Sequence, residues 1–200
     1  MKSRSAAVSC HIEVCYPFRC KRRRRRQRPA SIHDLRPADE VTLFQIKPVR
    51  SAADLEATVQ LFNAYESGVG VDLGYQDFAT ELATLPGKYA TPAGELLLAR
   101  DSRGKPLGCV GLRPIKPHGC CEMKRLYVSP KARGLALGRA LIAAIIEEAV
   151  RIGYNEMRLD TLPTMGAAIS VYKQVGFVPI EPYYETPIAG TLFFARPLAT

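Results

Sequence analysis

The stretch ARGLALGRAL, beginning at Ala132, sets a helical composition against two residues that a helix interior resists. Six of its ten residues are alanine or leucine, yet Gly134 and Gly138 lie among them and Arg133 and Arg139 flank them. Each interior glycine costs a helix about 1 kcal/mol relative to alanine. The conflict resolves if the stretch is where a loop enters a helix and meets an anion. The first N–H groups of a helix have no intrahelical partners, and the macrodipole adds about half a positive charge there. Glycine adopts φ > 0 and lets a ligand come close to the backbone. Arg133, Gly134, Leu135, Ala136, Leu137, Gly138 and Arg139 therefore read as a nest of donors for a pyrophosphate. The alternative is a glycine-rich loop that simply starts a buried helix. No Gly-Lys-Ser/Thr closes the stretch, and its glycines are four apart, so it is neither a P-loop nor the dinucleotide fingerprint.

The elements that must position this loop follow from hydrophobic periodicity. Residues 41–49 read as a strand, and Ser51 as the N-cap of a helix with Leu55, Val59, Leu61 and Phe62 on its apolar stripe. A second helix is expected over 74–85. Strands over 94–100, 107–115 and 120–128 form a meander, with Gly108 and Gly111 expected to keep one face of the middle strand thin. Leu137, Leu141, Ile142, Ile145, Ile146 and Ala149 then mark a long helix that Gly153 stops. A strand over 155–162, a helix over 164–176 and strands over 177–180 and 191–198 complete the order. A crossover attached to an antiparallel meander gives an α/β domain, with a mixed, largely antiparallel sheet flanked by helices.

Charge divides the chain. The net charge is +9, but residues 1–40 hold eleven Lys and Arg against four Asp and Glu. Residues 41–200 are near neutrality, so 1–40 read as a basic, disordered arm and 41–200 as the folded domain. Nucleic acid is expected as a partner only through the arm's KRRRRRQR run. No apolar run reaches the roughly 18 residues of a bilayer span, and no membrane partner is expected. The six cysteines contain no C-x-x-C pair, so no metal is expected and the compartment reads as cytoplasmic.

Three segments in order resemble the GCN5-related N-acetyltransferases. The loop from Arg133 to Gly138 is similar to their Q/R-x-x-G-x-G/A acetyl-CoA loop, CEMKRLYVSP to their fourth strand, and AAISVYKQVGF to their second signature helix. Two positions depart. Ala136 replaces the middle glycine, a change the loop tolerates if that residue keeps φ < 0, and Met165 stands where many members have asparagine.

The resemblance implies that an acetyl group moves from acetyl-CoA, a co-substrate, to an amine of a small molecule or protein by direct attack on the thioester. A lysine-like amine is neutral in only about one part in 2,500 at pH 7, so the reaction needs a proton acceptor. Glu122 matches the position of the family's base glutamate, and the alternative is a strand glutamate facing solvent or pairing with Lys124. Tyr172 matches the tyrosine that assists the leaving thiolate, and the alternative is a core tyrosine. Leu126, Tyr127 and Val128 match the strand end whose backbone holds the pantetheine arm. Tyr183, Tyr184 and Glu185, in the last loop, are expected to line the acceptor side. Two rival readings stay open: a module that binds acyl-CoA without turnover, and a nucleic-acid binder acting through the arm. A homodimer stays open too.

Overall fold

The computed structural model describes residues 43–198, and the basic arm lies outside the described residues. Seven strands form one sheet in the order β1-β2-β3-β4-β5-β7-β6. They are β1 (Gln45–Pro48), β2 (Glu95–Arg100), β3 (Pro106–Ile115), β4 (Cys120–Val128), β5 (Glu156–Thr161), β6 (Val178–Ile180) and β7 (Leu192–Pro197). Every neighbouring pair is antiparallel except β4 and β5, which are parallel. The expected mixed, largely antiparallel sheet is present.

Helix α1 (Ala52–Val69) begins at Ser51, whose hydroxyl accepts the Asp54 N–H at 3.1 Å, and ends at Gly70 in the left-handed region. The second expected helix is broken in two. A tight turn over Gly74–Gln76 leads to Asp77 at φ 56°, and only Phe78–Ala83 forms α2. Asp is among the few residues that enter the left-handed region readily, so the break falls there. The first strand is also shorter than expected: its pairing with β2 covers Gln45 to Pro48, and it lies at a sheet edge, where Pro48 is tolerated.

Two cores lie on opposite faces of the sheet. Leu61 and Phe62 of α1, Phe78, Tyr89, Leu96 and Leu98 make one. The other is built on α3 (Leu137–Ile152), whose Leu141, Ile142, Ile145 and Ala149 pack on Leu97, Val110, Leu112 and Met123, with Tyr172 of α4 (Gly166–Gln174) and Phe177 beside them.

Gly108 and Gly111 thin both faces of β3 rather than one. A β-carbon at Gly108 would stand 2.6 Å from the Tyr127 carbonyl oxygen and 3.1 Å from Leu141. At Gly111 it would stand 2.7 Å from the Tyr89 ring. Three residues apart on a strand means opposite faces, so one glycine admits α3 and the other admits Tyr89. That ring cannot yield easily: its hydroxyl donates to Glu81 at 3.0 Å and its edge meets Phe62. Gly111→Ala is therefore expected to cost about 1–3 kcal/mol as an overpacking change. Thermal unfolding should show a Tm lower by several degrees, at roughly 2–4 °C per kcal/mol for a domain of this size. An unchanged Tm would mean that Tyr89 is free to move.

Candidate active site

The parallel pairing of β4 with β5 stops after three residues, Cys120 with Glu156, Cys121 with Met157 and Glu122 with Arg158. Both strands run on, but apart. A bulge in β4 adds to the divergence. Gly111 faces Lys124 and Cys109 faces Tyr127, so β4 carries one residue more than β3 over this interval. Arg125 sits at the bulge with φ 57°. The extra residue shifts the alternation, so Lys124 and Arg125 both turn toward the α1–α2 side, while Met123 and Leu126 face α3.

Between the diverging strands lies a narrow groove of about 70 Å³. Leu126 and Lys124 of β4, Asp160 and Thr161 of β5, and Met165 and Tyr172 of α4 form its walls, with Tyr65, Tyr75 and Gln76 on the α1 side. Leu126, Tyr127 and Val128 lie along the unpaired length of β4, and none of them has a partner on β5. Tyr172 is buried, held edge-on by Phe177 at 5.9 Å. Burial, with Tyr65 and Asp160 nearby, raises its phenol well above the ordinary value. It stays protonated at neutral pH.

The loop after β4 makes a tight turn over Pro130–Ala132 and reaches Gly134 at φ 83°. Helix α3 begins at Leu137, and the N–H of Ala140 is the first to bond back, to the Ala136 carbonyl at 3.1 Å. The N–H groups of Leu137, Gly138 and Arg139 thus have no helical partner. Nothing lies within 4 Å of a β-carbon built at Gly134, and one at Gly138 would make ordinary contact with Val128 at 3.7 Å. Packing demands neither glycine. Arg133 is exposed, while Arg139 donates to Gln174 on α4. Leu135 is half-buried against the α3 core. Ala136 does not keep φ < 0; it caps the helix at φ 55°, ψ 11°. That is the glycine conformation of the motif held by an alanine, at a cost of about 1–2 kcal/mol.

Glu122 sits at the closed apex of the groove and does not line it. It is 1% exposed. Arg113, opposite on β3, places two N–H groups on its Oε2 at 2.6 Å, and the Tyr183 hydroxyl donates to Oε1 at 2.6 Å. Lys124, the partner expected from alternation, is more distant at 3.9 Å. Tyr183 and Tyr184 pack edge-on against Phe193, each at 5.2 Å. Tyr183 also borders a shallow outer depression of about 1240 Å³ with Arg158, Lys116 and His118. Glu185 is exposed and lines neither the groove nor this depression.

Arg113 and Asp160 were not singled out by the sequence. Arg113 was findable only from the register that sets it opposite Glu122. Asp160 had a fainter signal. In NEMRLDTL the alternation puts Glu156, Arg158 and Asp160 on one face of an otherwise apolar central strand.

Ala136→Gly is expected to relieve the left-handed strain and stabilise the domain by about 1 kcal/mol. A Tm higher by about 2–4 °C checks it; a lower Tm would show that the alanine methyl makes a contact of greater worth.

Residues 55–177 match the model of the acetyltransferase (GNAT) family. An uncharacterized N-acetyltransferase of Schizosaccharomyces pombe is 44% identical over 150 residues, covering 75% of this chain and 92% of its own. An IAA acetyltransferase of Azospirillum brasilense is 33% identical over 163 residues, covering 79% and 98%. Among solved structures, a GNAT-family acetyltransferase of Staphylococcus aureus shares the fold with TM-score 0.66 at 18% identity, over 78% of this chain and 99% of that one. The splayed strands, the loop entering α3 and these relatives agree: the chain belongs to the GNAT family of N-acetyltransferases.

Proposed function

We propose that the groove between β4 and β5 takes the pantetheine arm of acetyl-CoA, and that residues 133–139 receive its pyrophosphate. The observation that carries this is one continuous path. Leu126 lines the groove, and two residues on, Val128, the last residue of β4, abuts Gly138 in the first turn of α3, which carries the free N–H groups. The donor set fits the group: backbone amides and arginines for phosphate, and unpaired strand backbone for an amide-bearing arm.

Acetyl-CoA supplies an activated acyl group; the chain's residues hold it and manage the protons. Leu126, Tyr127 and Val128 offer the arm strand-like hydrogen bonds, so the ligand fills the place of the missing β5 pairing. Arg133 adds mobile charge at the loop. Tyr172 donates a hydrogen bond to the sulfur as negative charge develops there. With its pKa raised by burial, full proton transfer to a thiolate is uphill, and the phenol stabilises the leaving group as a donor. Glu122 acts at one remove. Its Oε1 receives the Tyr183 hydroxyl, so the Tyr183 proton passes to Glu122 as the phenol oxygen takes a proton from the acceptor side. Tyr183, Tyr184 and the outer depression make the acceptor side. The acceptor is an amine of a small molecule or protein. The buried free thiols of Cys109, Cys120 and Cys121 suit a reducing, cytoplasmic setting.

Two measurements test the scheme. Gly134 has open space around it and φ 83°, a conformation Asp and Asn both tolerate. Gly134→Asp, which sets a carboxylate against the pyrophosphate, should weaken acetyl-CoA binding more than tenfold by calorimetry, while Gly134→Asn should retain most of it. Equal affinities for the two would remove the loop as the anion site. Separately, Tyr172→Phe should lower kcat while leaving acetyl-CoA affinity nearly intact, because its hydrogen bond strengthens only as the thiolate forms. Full activity in that variant would reduce Tyr172 to core packing.

A further inference from the structure

Four carboxylates face the α1–α2 side of the sheet around the groove, and two are engaged through both oxygens. Glu81 takes two N–H groups from Arg125 at 2.8 and 3.0 Å and the Tyr89 hydroxyl. Glu122 takes Arg113 and Tyr183. Glu156 takes Arg158 on Oε1 alone at 2.6 Å, but it borders the outer depression and not the groove. Asp160 differs. Its Oδ1 accepts Lys124 Nζ at 2.5 Å, and its Oδ2 has no hydrogen bond from any described residue. It is also the carboxylate that lines the groove beside Tyr172, and it lies on β5 beyond Arg158, where the strands have parted.

The geometry points to Asp160 as the subsite for the acceptor's cationic amine, with Lys124 holding the place until the acceptor arrives. The inference rests on the acetyl-transfer reading of the same groove. Lys124 is 6% exposed and Asp160 13%, so water screens this pair little. An ammonium group that enters the groove finds one oxygen unoccupied. Lys124 is not stranded as it shares or yields Asp160, because Glu122 Oε1 is 3.9 Å away and the Tyr184 ring face is 5.8 Å away. The Tyr184 hydroxyl, buried without a well-formed hydrogen bond, lies close enough to Asp160 for that charge, after burial, to raise its pKa. The subsite also separates substrate from product. Once the ammonium has given up a proton, the neutral amine attacks the thioester, the C–S bond breaks, CoA leaves as the thiol with the amine's second proton, and the neutral amide that results no longer pairs with Asp160.

The test is binding to the full chain saturated with CoA, at pH 7, by calorimetry. The probes are phenethylamine, spermidine and phenethyl alcohol, the last being the neutral counterpart of the first. Wild type is expected to bind phenethylamine or spermidine, and phenethylamine at least tenfold more tightly than the alcohol. Asp160→Asn should weaken amine binding tenfold or more, and Asp160→Glu should restore part of it. Lys124→Met removes the competing cation and should bind the amines at least as tightly as wild type. Failure to bind either amine, equal affinity for phenethylamine and phenethyl alcohol, or undiminished amine binding in Asp160→Asn overturns the subsite. If Asp160→Asn does not fold, the amine–alcohol comparison and Lys124→Met decide, and weaker amine binding in Lys124→Met counts against it. Loss of acetyl-CoA binding by wild type would instead overturn the acetyl-transfer reading.

Discussion

Everything distinctive in this molecule depends on two parallel strands that pair for three residues and then separate. A sheet normally satisfies every backbone donor and acceptor of its inner strands, since an unpaired buried group costs about 1–3 kcal/mol. Here β4 and β5 leave theirs open along the groove, in the middle of a seven-stranded sheet. The arrangement persists because both strands are pinned elsewhere. β4 pairs with β3 over most of its length, and β5 pairs with β7 at all six of its positions. At the apex the Arg113–Glu122–Tyr183 cluster ties β3, β4 and the loop before β7 to one carboxylate. On the α1–α2 side, Arg125 reaches from the bulge to Glu81 and Gln76 and lies 4.9 Å over the Phe78 ring. Two arginines thus brace the divergence, Arg125 buried at the bulge and Arg113 half-buried at the apex.

This bracing explains how the charges are distributed. A buried guanidinium is tolerated only where hydrogen bonds replace its hydration. Arg113 and Arg125 each have a carboxylate, and Arg125 also has an amide oxygen and an aromatic face. Their partners Glu122 and Glu81 are thereby held in place. Asp160 and Lys124 remain as a pair that borders open space. The division of labour among otherwise similar side chains is set by which side of the last paired residue each one occupies.

The local elements were legible in the sequence because their signals are local. Ser51 starts α1, the apolar stripe and Gly153 define α3, and the alternating strands of the meander fall within a residue or two of their expected ends. The loop into α3 was legible from glycines set against a helical composition. The divergence was not. The length over which two strands pair depends on their neighbours on either side, and no residue in CEMKRLYV announces that pairing ends at Glu122. The bulge was equally silent, because it places an arginine at a positive φ where sequence reasoning looks for glycine. Ala136 is the same lesson in the loop: tertiary context imposes a left-handed conformation on a residue that does not favour it. Glu122 was found by its position, but its engagement by Arg113 and Tyr183 rests on pairings made across nine and sixty-one residues.

The sheet order has a consequence for the growing chain on the ribosome. β7 is the last of the described strands to be synthesised, yet it lies between β5 and β6 rather than at an edge. Until it emerges, β5 has only its three-residue pairing with β4 and presents an unpaired hydrogen-bonding edge on its other side. Tyr183 and Tyr184 likewise lack Phe193, the ring against which both pack. The meander and α3 can assemble early, since their contacts come from consecutive segments. The wall that Tyr183 and Tyr184 build against Phe193 forms only when β7 slides in, so a nascent chain has the glycine loop into α3 well before it has that wall.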